Sequence, residues 1–180
     1  RVGDELHVAG GVEAPRRLMR VFLYAQQRGL RLHADLVQLV RSQLSLVDRS
    51  FLADAHVHET FLTILNQRGD VARILRAMHD TGFLGKYMPE FGKLTCLVQH
   101  EFLHRYTADE HTLVCIDKLD ALATTDDPKL IAYRRIFEQL EDPFVLYLAL
   151  LLHDSGKAVG ARRHSEASAL FAQRVASRLQ

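Results

Sequence analysis

An adjacent histidine and aspartate, His153-Asp154, end the uncharged run Phe144-Val-Leu-Tyr-Leu-Ala-Leu-Leu-Leu152, and Ser155-Gly156-Lys157 follow at once. On a surface such a doublet costs little. At the mouth of an apolar core its polar groups need hydrogen bonds or a metal. Histidine with a carboxylate is a standard ligand set for Zn, Mn, Fe and related divalent ions. The chain has 10 histidines, with His100, His104, His111, His153 and His164 in its second half. The telling group in chain order is His111, in the first turn of one predicted helix, then His153-Asp154 in the last turn of another.

Two antiparallel helices set a first turn beside a last turn, so these three side chains converge without a loop to hold them. Neighbours on a helix point about 100° apart. His153 and Asp154 therefore face one ion only where the backbone adjusts, and Gly156 supplies that place. Spacing alone equally suits a helix C-terminus, with His153 on the dipole and Asp154 capping a neighbour. His111 taken alone suits a satisfied core histidine.

The elements that would position this group read as helices throughout. Residues 1–13 show no period and read as an arm. Leu18, Val21, Phe22 and Ala25 recur at helical spacing up to a stop at Gly29, and Leu36, Leu39, Val40 and Leu44 repeat the pattern over 34–46. A third helix starts near Asp48 or Ser50 and carries Phe51, Leu52, Ala55, Phe61, Leu62, Ile64 and Leu65 to Gly69. Asp70 caps a helix over 71–79, ended by Gly82. Residues 83–92, with two glycines and Pro89, read as an irregular joint that re-aims the chain. We place the boundary there: 1–82 as an N-terminal helical extension, 83–180 as the chemistry-bearing domain.

Beyond the joint, 93–105 reads as helix. Thr107 with Glu110 reads as a capping box opening a helix to about Leu122. Pro128 suits the first turn of a helix over 129–140, and Asp142-Pro143 starts the apolar run. Residues 155–163 read as a Gly- and Arg-rich loop, and 164–179 as a closing helix. The leucine and alanine content of 144–152, with its cap, argues helix over buried strand. The fold class is all-α.

Composition bounds the rest. A chain of 180 residues, 48% hydrophobic and 25% charged, is one globular domain or a domain with an extension. A net charge of +1 gives no electrostatic case for nucleic acid or a membrane surface. No stretch approaches the ~20 apolar residues of a membrane span. Cys96 and Cys115 form neither a disulfide framework nor a CxxC pattern, and read as reduced core thiols of a cytoplasmic protein. His7, His33, His56, His58 and His79 read as surface residues and His100 as structural. The start at Arg1, without methionine, suits a chain trimmed or cut from something longer.

Leu-Leu-His153-Asp154-Ser-Gly-Lys157, with His111 on an earlier helix, resembles the HD metal-dependent phosphohydrolase superfamily. Phe83-Leu-Gly-Lys-Tyr-Met-Pro-Glu-Phe-Gly92, His104-Arg-Tyr-Thr-Ala-Asp-Glu-His111-Thr-Leu and Arg-His164-Ser narrow it. Together these resemble the segment between nucleotidyltransferase and ACT domains of protein-PII uridylyltransferase/uridylyl-removing enzymes, across roughly residues 15–180.

The resemblance implies an HD-domain-like helical bundle with an N-terminal helical extension. It assigns His111, His153 and Asp154 to a divalent metal (Mg, Mn, Zn or Fe), and His164 to a second metal or the scissile phosphate. It gives Asp154 and Lys157 catalytic roles, and His104, Lys157, Arg162 and Arg163 to substrate phosphate. The implied partner is a uridylylated PII-type signal protein, in nitrogen regulation, with neither nucleic acid nor membrane involved. Ser155 departs from the family's usual aliphatic residue, and Arg163 from its common Asp. HD sites are completed by a distal Asp, and no Asp follows Asp154 in this chain. The expectation is therefore a piece ending before the last helices, with weak or absent metal and no activity on its own. A degenerate helical module regulating a nucleotidyltransferase, or an HD hydrolase of another nucleotide, are the alternative readings.

Overall fold

Helices account for the regular structure because apolar residues recur at three- and four-residue spacing throughout. The computed structural model describes residues 14–97, 107–159 and 164–180, and every regular element among them is helical. In chain order they are α1 (Ala14–Gln27), α2 (Ala34–Ser42), α3 (Arg49–Leu52), α4 (Ala55–Leu65), α5 (Val71–Asp80), α6 (Phe83–Tyr87), α7 (Pro89–Gly92), α8 (Ala108–Leu122), α9 (Ile131–Gln139), α10 (Pro143–Leu152) and α11 (His164–Leu179). Short 3-10 turns follow α2 and α10, at Leu44–Leu46 and Ser155–Val159.

Local chemistry explains where the expected boundaries moved. Asp54 interrupts the single helix expected over 48–65. Its Oδ1 accepts from the His56 amide at 2.9 Å, opening α4, while its Oδ2 takes the Arg16 guanidinium at 2.6 Å. Asp70 precedes α5 as expected but does not cap it. It adopts the left-handed conformation (φ 61°) and grips Arg73 instead. The cap comes from Asp120 on α8, whose Oδ2 accepts from the Ala72 amide at 2.7 Å. Thr107 likewise makes no side-chain cap, and Glu110 turns to Arg76, so the capping box is not formed. Pro128 lies in a turn ahead of α9, which begins at Ile131.

The joint expected over 83–92 is the centre of the core. Phe83, Leu84, Tyr87 and Phe91 of α6 and α7 are buried, and Tyr87 stands edge-on to Phe51 and Phe61. Gly92 is needed where the two short helices meet, since a Cβ there would lie 2.6 Å from the Gly85 carbonyl oxygen. Around this centre α1 packs on α4 and α5, α5 on α8, and α10 on α8, α4 and α11. One continuous cluster of buried apolar residues runs from Leu18 to Leu179. The described part of the helix expected over 93–105, residues 93–97, is turns, and the remainder lies outside the described residues.

Several side chains differ from their sequence reading. The α10 run is buried on one side, through Tyr147, Leu148, Leu151 and Leu152, while Val145 is exposed. His58 is buried, with Nε2–H donating to the Leu52 carbonyl at 2.8 Å. His79 is mostly buried against Asp109 at 3.1 Å. Both were expected on the surface; each is drawn in by an oxygen partner. Cys96 is exposed and Cys115 half-buried, so neither is a core thiol. No helix among the described residues is long and apolar enough to cross a membrane.

Candidate metal centre

Helices α8 and α10 lie against each other, and polar contacts fix how they meet. Near the start of α10, the Tyr147 hydroxyl donates to Oδ1 of Asp120, in the last turns of α8, at 2.5 Å, and accepts from the Gly69 amide at 3.2 Å. This pairs the end of α8 with the first half of α10, so the start of α8 meets the end of α10. Arg76 of α5 adds a clamp, reaching both Glu110 oxygens at 2.7 and 2.8 Å and Asp117 at 2.7 Å. Those residues flank His111 along α8 and hold its first turn against α5.

At the open ends of this pair, His111, His153 and Asp154 come together. One ligand atom from each lies within 4.8 Å of the other two. His153 Nε2 stands 3.3 Å and His111 Nε2 4.0 Å from Asp154 Oδ2, and the two imidazole centroids are 5.7 Å apart. His153 Nδ1 lies 2.7 Å from the Leu150 carbonyl, which only accepts, so Nδ1 carries the proton. While the ring is protonated, Nε2–H faces Asp154 Oδ2; when it is neutral, the Nδ1–H tautomer leaves Nε2 able to ligate, the arrangement metal-bound histidines adopt. Two imidazole nitrogens and a carboxylate oxygen at these separations suit a divalent transition metal.

The charge balance follows from one oxygen. Lys157 Nζ, one turn on from Asp154, sits 2.7 Å from the same Oδ2. Burial alone would raise the Asp154 carboxyl, but hydrogen bonds from His153 and Lys157 overcome it and hold the group far below the usual carboxylate range. The Asp154 bond in turn raises His153 above its ordinary value, against the opposing effect of burial. The Asp154 side chain is 8% exposed, whereas that of His111 is 40% exposed and opens to solvent.

The backbone after the doublet bends where expected, but for a different reason. Residues 155–159 form a 3-10 turn rather than a loop, and α11 runs directly across Gly156. A Cβ on Gly156 would lie 2.1 Å from the His164 carbonyl oxygen, so only glycine fits. Its amide donates to the Ser168 hydroxyl at 2.9 Å, locking the turn to α11. His164 opens α11 and is exposed, and the three-residue ligand group does not include it. Lys157 is engaged with Asp154. His104, Arg162 and Arg163 lie outside the described residues, as do His7 and His100.

Sequence reasoning missed two features here. The Asp120–Tyr147 contact joins residues far apart in sequence, with no local signal. Cys115, one helical turn beyond His111, places Sγ 3.7 Å from His111 Nε2, and the four-residue spacing was its available signal.

Comparison with known proteins bears on most of the chain. The model of the uridylyltransferase GlnD third domain matches residues 12–87, from α1 to α6 and upstream of the ligand group. The bifunctional uridylyltransferase/uridylyl-removing enzyme of Nitrosococcus oceani is 38% identical over 165 residues, 89% of this chain and 18% of that protein. Its counterpart in Cereibacter sphaeroides is 36% identical over 162 residues, 89% of this chain and 17% of its own length. The chain belongs to the uridylyltransferase/uridylyl-removing enzyme family. The Azotobacter vinelandii relative, 36% identical over 87% of the chain, agrees. The chain spans 17–18% of the length of these relatives, so it aligns with one portion of a much longer architecture. No solved structure matches it.

Proposed function

We propose that residues 83–180 form the HD-type, metal-dependent phosphohydrolase part of a uridylyl-removing enzyme, with 1–82 as its helical extension. The observation that carries this reading is the convergence of His111, His153 and Asp154 to within 4.8 Å at the meeting of two helix ends. Of the ions the resemblance implies (Mg, Mn, Zn or Fe), the transition metals suit two imidazoles and one carboxylate better than Mg does. When bound, such an ion supplies Lewis acidity and a water acidic enough to react near neutral pH.

The protein's own groups do the rest. The Leu150 carbonyl holds the proton on His153 Nδ1, keeping Nε2 turned to the site. Asp154, held ionised by its neighbours, binds and orients on the same side. The Lys157 ammonium, 2.7 Å from that carboxylate, offsets charge on the phosphoryl oxygens of a bound ester. His164, at the start of α11, with His104, Arg162 and Arg163, would supply further phosphate contacts. The substrate is a uridylylated PII-type protein, whose phosphodiester P–O bond is cut with release of UMP.

The test is release of UMP from uridylylated PII protein, with and without EDTA. It is run on this chain and on the same sequence within a full-length family member. In the full-length protein, Asp154→Asn should cost at least about a hundredfold in rate, as loss of a central catalytic group does. Hydrolysis undiminished by both EDTA and the substitution sinks the reading and leaves a regulatory, non-catalytic module.

A further inference from the structure

A cavity of about 300 Å³, large enough for a small molecule, lies where α5, α6 and α7 meet. Its walls at Gly82, Gly85 and Gly92 are bare backbone, and the polar side chains that line it are His79, Lys93 and Thr95. None of these belongs to the group of His111, His153 and Asp154. Gly82, Lys93 and Thr95 are exposed, so the cavity opens to solvent without any movement. His79, in contrast, is held from behind. Its Nε2 stands 3.1 Å from Oδ2 of Asp109, a buried carboxylate that also accepts from the Cys96 amide at 3.3 Å. The imidazole packs edge-on against Phe91, with ring centroids 5.6 Å apart.

A carboxylate beside Nε2 keeps the ring proton on that nitrogen, so the neutral imidazole offers Nδ1 as an acceptor. Among the described residues, His79 Nδ1 and the Thr95 hydroxyl have no hydrogen-bond partner, and Lys93 makes no ion pair. The Lys93 ammonium stands 5.9 Å from the centroid of the Phe171 ring. One cation, one hydroxyl and one imidazole acceptor around a single cavity define a ligand: an anion for Lys93 that also brings an O–H for Nδ1. We propose that this cavity binds a small oxyanion carrying its own hydroxyl, of the hydrogenphosphate or hydroxy-acid type. Lys93 and Thr95 take its anionic oxygens, and His79 Nδ1 accepts its hydroxyl proton. An oxyanion without a hydroxyl meets the Nδ1 lone pair with nothing to donate, so the site discriminates against it. Asp109 touches no ligand and is a positioning residue, fixing the tautomer and plane of His79. The proposal stands independently of metal binding.

NMR titration of the metal-free full chain near neutral pH, at constant ionic strength, tests this. The probes are inorganic phosphate against sulfate and malate against succinate, two pairs whose members differ in the hydroxyl. The expected result is a saturable shift of the His79 ring and of the Gly82 and Gly92 amides with phosphate, malate or both. The hydroxyl-free member of the pair should bind at least about tenfold more weakly. Which probe binds decides between phosphate and a hydroxy acid. Lys93→Met should weaken binding at least about tenfold and Lys93→Arg should keep most of it, with amide spectra unchanged beyond the cavity reporting an intact fold. Shifts confined to His111, His153 and Lys157 overturn the proposal, because they place the anion at the metal centre. Equal binding of the hydroxyl-free anions, indifference to Lys93→Met, or no shift from any of the probes overturns it too.

Discussion

At the scale of single residues, the doublet is organised by one oxygen. Asp154 Oδ2 faces His111, His153 and Lys157 together, so each titration depends on the others. In the metal-free chain His153 should titrate above the ordinary value of about 6.5 and fall back in Asp154→Asn. Imidazole NMR, assigned with His153→Gln, checks this; an unshifted His153 in the parent chain counts against the contact. The stability consequence has a definite sign. A raised histidine contributes stability fully present below about pH 6.5 and lost as pH rises through its folded value. The lowered Asp154 contributes stability present above about pH 3.9 and lost as pH falls toward its folded value. The pair therefore supports the metal-free fold best between those two ordinary values. Metal uptake runs the other way, because a ligating imidazole must be neutral, so apparent affinity climbs as pH rises through the His153 titration.

At the scale of elements, the site depends on how α10 hands over to α11. Gly156 is the pivot, and the reason is space. Its Cβ would strike the His164 carbonyl oxygen at 2.1 Å, the Ser168 amide at 2.8 Å and the Ala167 methyl at 2.9 Å. Gly156→Ala must therefore push α11 away or deform the turn that carries Lys157, at a cost of about 1–3 kcal/mol. Denaturant unfolding measures it; a neutral substitution would show that α11 does not press on the turn. The sequence marked Gly156 as a chain break correctly, but a single residue cannot reveal which helix crosses it. The same limit explains the misplaced caps. Asp70 and Thr107 each carried a local cap signal, yet neither caps its helix, because Asp120 reaches α5 from α8 and Arg76 draws Glu110 away, while Asp54, where no helix start was read, caps α4. Local propensity yields wherever a partner from another helix offers a stronger bond.

At the scale of the whole molecule, periodicity was enough to read an all-α fold, and the adjacent His153 and Asp154 ahead of a glycine marked where the apolar run ends in a polar group. What stayed hidden was the assembly of those parts. The joint at 83–92 reads as a break because glycine and proline punctuate it, yet it fills the core through Phe83, Leu84, Tyr87 and Phe91. The convergence of His111 on His153 needs α8 and α10 antiparallel, which Tyr147, Asp120 and Gly69 arrange across distant segments. That assembly has a measurable consequence. The candidate ligands His111, His153 and Asp154 come from two helices that share the core with α4, α5 and α11, so an ion bound as proposed would tie those helices together. At a free metal concentration about a hundredfold above Kd, linkage adds about 2.7 kcal/mol to stability. For a chain of 180 residues that corresponds to a rise in Tm of roughly 5–10 °C. Thermal unfolding followed by circular dichroism, across a zinc titration and after EDTA, should show a rise that is reversible. His153→Ala should abolish most of it, since the remaining ligands then sit on Asp154 and α8 alone. An equal rise in that variant would place the ion elsewhere on the molecule, and no rise in the parent chain would mean that the ion does not distinguish folded from unfolded protein.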